Sequence, residues 1–305
     1  MKIIFISVSM MALVAFSSCG SAKKSTKNEV KDSTTTTANT GDTKTAASST
    51  NPFPDFPAEN LSAASGDNVF ATTDAQNPGN KDAAFGSFSI TFVRSTLGTP
   101  GNPTSKVTAY GTESDVVNYF IIPIPNGGTA KKGDIVVAPW HHGESMMRAV
   151  VIDDKDAGSP VVNFIDVDWD NPAKGDKGVG YGQEQTTLAP NTFYVLNAQW
   201  QSGSSLAVKV GSDWKKMILI KTSGDQVLAI DEMGKVNMYA KAECKCIPGN
   251  GDIKAGAEVM APKYGNYVKS TVQKVDKKFG RVYCKAVDSD KVTILPVSDV
   301  SATTW

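Results

Sequence analysis

The sequence predicts an all-β protein of tandem, duplicated small barrels behind a disordered leading segment. Three observations carry that expectation. Gly and Pro are frequent (26 and 15 of 305 residues), while apolar runs are short and rich in Val and Ile, the pattern of many short strands joined by turns. A block in the middle of the chain recurs near its end in one register, and a repeat of so long a period marks a duplicated domain rather than a solenoid. Residues 19–60 are dominated by Ser, Thr, Ala, Lys, Asn and Asp, too polar to offset their own chain entropy with burial.

The chain opens with Lys2 and an uncharged run from Ile3 to Phe16. That run is short of the roughly 20 apolar residues of a membrane-spanning helix and fits the roughly 7–15-residue apolar core of a secretory signal. Ser17, Ser18, Cys19 and Gly20 follow. The arrangement resembles a lipobox, with Phe16 where that family usually has Leu. The resemblance implies a signal peptide over 1–18, cleavage before Cys19, and a lipid on Cys19 that makes the membrane a partner. An ordinary cleaved signal with a chance cysteine is the alternative. Gly20 rather than Asp implies the outer membrane, and Lys23-Lys24 without an acidic cluster implies the periplasmic face. Residues 19–60 then read as a lipidated, disordered tether, stiffened near its end by the prolines of Asn51–Pro57.

The body follows. The 31 basic and 31 acidic side chains of the whole chain balance, so charge gives no reason to expect nucleic acid. Ile124–Pro139 and Ile247–Pro262 match at one constant offset, through Pro125/Pro248, Gly128/Gly251, Gly133/Gly256, Val136/Val259 and Ala138/Ala261. Downstream, Val162 aligns with Val282 and Phe164 with Cys284. We therefore expect a first β unit over 61–204, with its core about 129–200, and a second over 205–305, with its core about 252–305. Strands are expected at Asp134–Pro139, Met146–Ile152 and Pro160–Val167 in the first core, and at Glu258–Pro262, Val268–Val275, Arg281–Val287 and Lys291–Pro296 in the second. Outside the cores, Phe85–Phe92, Val116–Ile124, Leu206–Val210, Met217–Ile220, Val227–Ile230 and Val236–Ala240 read as strands. Asp170–Gln185 reads as a Gly-rich surface loop.

Gly133–Trp140, Met147–Val151 and Val161–Asp168 resemble a Tudor-type SH3-like barrel, which runs from a Gly-x-x-Val-x-Ala strand into an aromatic loop and then through two further strands. The resemblance covers roughly forty residues of each unit. It implies five-stranded barrels that capture ligands in an aromatic cage, here Trp140, Phe164 and Trp169 with Asp168 as the polar member. The second unit would offer Tyr264, Tyr267 and Asp288, with Cys284 in place of Phe164. Plain packing is the competing reading of Phe164, and a half-exposed loop position that of Trp140.

Candidate chemistry is thin. His141 and His142 are the two histidines, and neighbours in a strand-like loop point apart. They are therefore expected to be polar loop residues, and no metal site and no cofactor are expected. No nucleophile–base spacing commits to catalysis. Cys244, Cys246 and Cys284 leave the disulfide question open; Cys284 also reads as a buried thiol. The leading expectation is a non-catalytic binding or structural lipoprotein of the envelope that holds a protein, peptide or glycan. A metal or redox sensor through Cys244 and Cys246 is the first alternative. An enzyme with a site assembled between units is the second.

Overall fold

The computed structural model describes residues 52–57, 60–72, 92–170, 178–249 and 251–305. The expected signal peptide, Cys19, most of the tether, most of the Phe85–Phe92 strand and part of the 170–185 loop lie outside them. The described chain is all-β, and every strand pairing in it is antiparallel. Short 3-10 turns are its helical elements, and among the described residues no helix is long and apolar enough to cross a membrane.

One local device builds the fold four times. Gly66, Gly133, Gly203 and Gly256 have φ of 92°, 93°, 90° and 84°, a conformation that side chains resist and glycine adopts freely. Their amides donate to the carbonyls of Leu97, Val151, Leu219 and Val272 at 2.7–2.8 Å. The amides of those same four residues return to the carbonyls of Asp67, Asp134, Ser204 and Ala257 at 2.9–3.0 Å. Three residues past each glycine sits a fully buried Val69, Val136, Leu206 or Val259.

The first three glycines each launch five strands of which the fifth returns to the first, and Gly256 launches four strands followed by a single returning bridge. The first sheet contains β1 (Asn68–Ala71), β2 (Val93–Leu97), β3 (Thr104–Ala109), β4 (Thr112–Val117) and β5 (Ile121–Pro123), in the order β5-β1-β2-β3-β4. The second contains β6 (Ile135–Pro139), β7 (Met146–Asp153), β8 (Val161–Phe164), β9 (Gln185–Thr187) and β10 (Tyr194–Val195), in the order β10-β6-β7-β8-β9. The third contains β11 (Ser205–Val210), β12 (Asp213–Ser223), β13 (Gln226–Ile230), β14 (Val236–Ala240) and β15 (Cys244–Cys246), with β15 again beside β11. The fourth contains β16 (Glu258–Lys263), β17 (Asn266–Asp276), β18 (Arg281–Ala286) and β19 (Val292–Pro296), and Ser301 bridges back to Met260 in the fifth place. Pairing of Lys215 with Asn266 joins the last two into one nine-stranded sheet.

A 3-10 turn precedes the returning strand at Asn118–Phe120, Lys241–Glu243 and Val297–Asp299. It interrupts the expected continuous strand Val116–Ile124. In the last three copies the second strand carries a bulge, at Val151/Asp153, Leu219/Lys221 and Val272/Lys274, which bends the strand and curls the sheet. Among the described residues no sheet closes its ring of hydrogen bonds.

The repeat is thus finer than a pair of units: 61–204 and 205–305 each hold two such sheets. The pairing register also moves one alignment. Val151 pairs with Val162 while Val272 pairs with Cys284, so Cys284 takes the place of Val162 rather than Phe164. The expected strand Pro160–Val167 stops at Phe164, because the carbonyls of Phe164, Ile165 and Val167 turn to the buried Arg281 guanidinium instead of a strand partner.

Packing explains the near-continuous apolar runs. On β6, Val136 and Ala138 face a small core inside the second sheet, while Ile135 and Val137 face a larger core shared with the first and third sheets. Separate inner cores fill the third sheet, around Leu206 and Leu219, and the fourth, around Val259 and Val282. The ordered body begins before residue 60: Phe56 is buried and Phe53 packs on the shared core, both edge-on to Tyr119. Two phenylalanines between prolines supply the apolar area that the polar tether lacks.

Candidate functional site

The residues expected to form a binding face fall into two places. The first is the β6–β7 turn. Trp140 there is half-buried, and its ring lies edge-on to Tyr181 (5.5 Å) and His142 (5.0 Å). Phe164 is fully buried in the inner core of the second sheet, 5.9 Å from the His141 ring. The second place is a cleft of about 720 Å³ among the second, third and fourth sheets. Asp168, Trp169 and Tyr264 line it. Trp169 packs on Phe279 (5.0 Å) and lies 5.5 Å from the Arg281 guanidinium. Among the described residues no ring contact joins Trp140 to Trp169, so the single cage expected from Trp140, Phe164, Trp169 and Asp168 is not assembled.

Tyr264 stands at the lip of the cleft, 92% exposed, at a φ of 51°. Gly265 follows at φ 75°, so the tight β16–β17 turn places a bulky side chain in a backbone region such residues avoid. Asp288 is exposed and paired with Lys263 at 2.8 Å, a hydrogen bond that holds its carboxyl below the ordinary aspartate value. Lys263 also lines the cleft. Tyr267 does not join them: it is buried behind the lip, 5.8 Å from the Trp305 ring, and burial raises its phenol well above the ordinary value.

Beneath the cleft lies a buried charge network. Arg148 from β7 donates to Asp166, Ser205 and Asp299, and Lys216 from β12 meets the other Asp299 oxygen at 2.9 Å. Two cations thus face two carboxylates. Burial alone would raise Asp299, but Arg148, Lys216 and the Ser205 hydroxyl outweigh it and hold the carboxyl well below the usual range. Arg281 is almost wholly buried and spends its terminal nitrogens on the three carbonyls after β8. The Arg148–Asp166–Asp299–Lys216 charges are thus matched internally, whereas the Arg281 guanidinium is held by carbonyl dipoles.

The structure brings together one group that sequence reasoning separated. His141 and His142 do not point apart: their rings are 4.0 Å from each other, and both Nε2 atoms reach Oε2 of Glu184, at 3.2 and 2.8 Å. The segment is a turn, not a strand, with Gly143 and Glu144 amides both donating to the Trp140 carbonyl, so successive side chains no longer alternate. Burial would raise Glu184, but the two imidazole hydrogen bonds outweigh it and hold the carboxyl below its ordinary value. Glu184 lay in a segment read as a surface loop; the clue in the sequence was its place beside Tyr181 and opposite an aromatic-flanked His pair.

The three cysteines of the body are free. Cys244 and Cys284 sit in different inner cores, and Cys246 accepts a hydrogen bond from the Trp200 amide at 3.3 Å. No protein-family model and no curated protein matches the chain.

Proposed function

We propose that this chain is a non-catalytic binding lipoprotein of the cell envelope, anchored through Cys19 to the outer membrane, facing the periplasm, and built from Tudor-like SH3-like units. Its binding site is the cleft, and its ligand is a peptide segment of an envelope protein. The cleft itself carries the reading. Its walls combine Trp169 and Tyr264 with acidic Asp168 and Asp170 and basic Lys263 and Lys291, a mixture that suits a chain bearing both charges and apolar side chains. A large side chain left exposed and strained at the rim of such a hollow supports a role for Tyr264 outside folding.

Binding is favoured over turnover because the charges nearest the floor are already paired. Lys216 meets Asp299 and Glu232, and Lys263 meets Asp288, which leaves them engaged rather than poised for proton transfer. The sensor alternative through cysteine is disfavoured by burial, which pushes the Cys244 thiol up to about 11 and raises Cys246 as well. Thiols in that state are weak nucleophiles and weak metal ligands at neutral pH.

A photo-crosslinking residue placed at Tyr264 in cells should yield one discrete adduct, and the same residue at exposed Val210 should not. Equal, diffuse labelling at both positions would refute the cleft as the site, and adducts to glycan instead of protein would refute the peptide. In the same strain, Cys19→Ala should leave the detergent phase and appear in the soluble fraction. Unchanged partition would remove the lipid anchor from the proposal.

A further inference from the structure

The His–Glu group lies in the second sheet and is not part of the cleft. His141 is the more open of the two histidines, His142 is half-buried, and the Glu184 side chain is 2% exposed. The ligand-capable atoms of all three lie within 4.8 Å of one another. We propose that His141, His142 and Glu184 bind one divalent transition ion of the zinc class, through two imidazole nitrogens and one carboxylate oxygen.

Several features argue for an ion over a simple hydrogen-bonded trio. Two imidazoles and a carboxylate form a donor set that zinc takes with a fourth position left to water or ligand. Calcium and magnesium prefer all-oxygen shells. Ligands held about 2.0–2.1 Å from a tetrahedral zinc stand roughly 3.3 Å apart; the His141–Glu184 separation of 3.2 Å already matches that spacing, and the 2.8 Å hydrogen bond from His142 would open by about 0.5 Å to admit the ion. The Glu184 side chain is 2% exposed, and a dication held against it would place a full counter-charge beside a buried carboxylate.

The frame around the group is stiff. Arg94 from β2 pairs with Glu144 at 2.6 Å, and its amide donates to the Glu144 carbonyl. The Tyr110 hydroxyl donates to the Gly143 carbonyl at 2.7 Å. On the other side, fully buried Asn163 donates to the carbonyls of Gly182 and Glu184 at 3.1 and 3.0 Å. Trp140, Tyr181 and Phe164 wall the site with apolar surface. Fixed ligands in a hydrophobic shell are what metal affinity requires beyond ligand identity.

The test is titration of the purified, chelator-stripped full chain with Zn²⁺ by calorimetry and with Co²⁺ by visible absorption. One ion per chain is expected, with tetrahedral Co²⁺ bands and a rise in thermal midpoint on Zn²⁺ addition. His142→Ala and Glu184→Gln should each weaken binding about ten-fold or more. His141→Asn, at the exposed side, should do the same with far-ultraviolet circular dichroism unchanged, which keeps the test open if the buried variants unfold. Cys244→Ser/Cys246→Ser should bind as the parent chain does. Failure to take up one ion, uptake indifferent to His141→Asn and Glu184→Gln, or uptake lost with the cysteines would overturn the site. Because no cleft residue takes part, such failure leaves the peptide-binding reading untouched.

Discussion

Asp299 takes Arg148, Lys216 and Ser205 onto one buried carboxylate, and so ties the 3-10 turn near the chain's end to the second and third sheets. Removing it leaves buried Arg148 with Asp166 alone and half-buried Lys216 with the more distant Glu232, and losing one partner of a buried ion pair costs about 3–5 kcal/mol. Asp299→Asn should therefore destabilise by that order at neutral pH, read as a shift of the urea midpoint. An unfolded aspartate titrates near ~3.9, and the folded carboxyl lies below it. Its stabilisation is thus complete above about pH 5 and lost as pH falls through the unfolded value toward the folded one. The parent chain should weaken steeply below about pH 4, the variant less so; parallel acid limbs would contradict this account. Tyr264 presents the opposite case. Tyr264→Asn keeps the tight turn with a residue that tolerates positive φ, so it should stabilise by about 1 kcal/mol while reducing the partner adduct formed from a photo-reactive residue at Lys291, which also lines the cleft. At this scale the sequence was partly legible: Cys284 reads as a buried thiol and is one, whereas Asp299 carries no pattern that announces three partners brought from distant sheets.

Between residues and the molecule stands the glycine-led five-stranded sheet. Its glycines do not make equal demands on a substitution. A Cβ at Gly133 would meet nothing within 4 Å, whereas at Gly203 it would come 3.0 Å from Val137 Cγ2. Gly133→Ala should thus carry backbone strain alone, of order 1–3 kcal/mol. Gly203→Ala should lose more, because the β6 side chain it meets is packed in the shared core. Comparable melting temperatures for the two variants would show that the turn, not the packing, limits this position. Strands β6, β7, β16, β17 and β18 were readable from short Val-rich runs between turns, and Gly133/Gly256 from matching flanks. The copies at Gly66 and Gly203 were not, since the Ser-Gly they share and the Gly-Asp common to Gly66 and Gly133 are dipeptides too short to set a register. What they share is a hydrogen-bond exchange with a residue one strand away, a relation that spacing along the chain does not record. The His–Glu group was hidden for the same reason, because turn geometry and a partner from beyond β8 set it, not local alternation.

Over the whole body, the sheets do not behave as beads. Sequence spacing alone leads one to expect that a fragment from Ser205 to Trp305, of ordinary domain size, folds by itself. Packing argues otherwise. Ile218, Ile220, Leu228, Ile230 and Val236 of the third sheet belong to the core that also holds Phe70, Phe120, Ile135 and Val150. Cutting the chain before Ser205 exposes that apolar face. It also strands Asp299 without Arg148, and Arg281 without the carbonyls of Phe164, Ile165 and Val167. The inner cores around Leu206 and Val259 would survive the cut, so strand content should persist. We therefore expect the fragment to show β-type circular dichroism, bind a hydrophobic dye and unfold without a sharp transition. Adding the complementary fragment 47–204 should restore a cooperative transition and protect slowly exchanging amides in β12 and β13. If 205–305 alone melts as sharply as the full chain and binds no dye, the shared core contributes little and the units are independent after all.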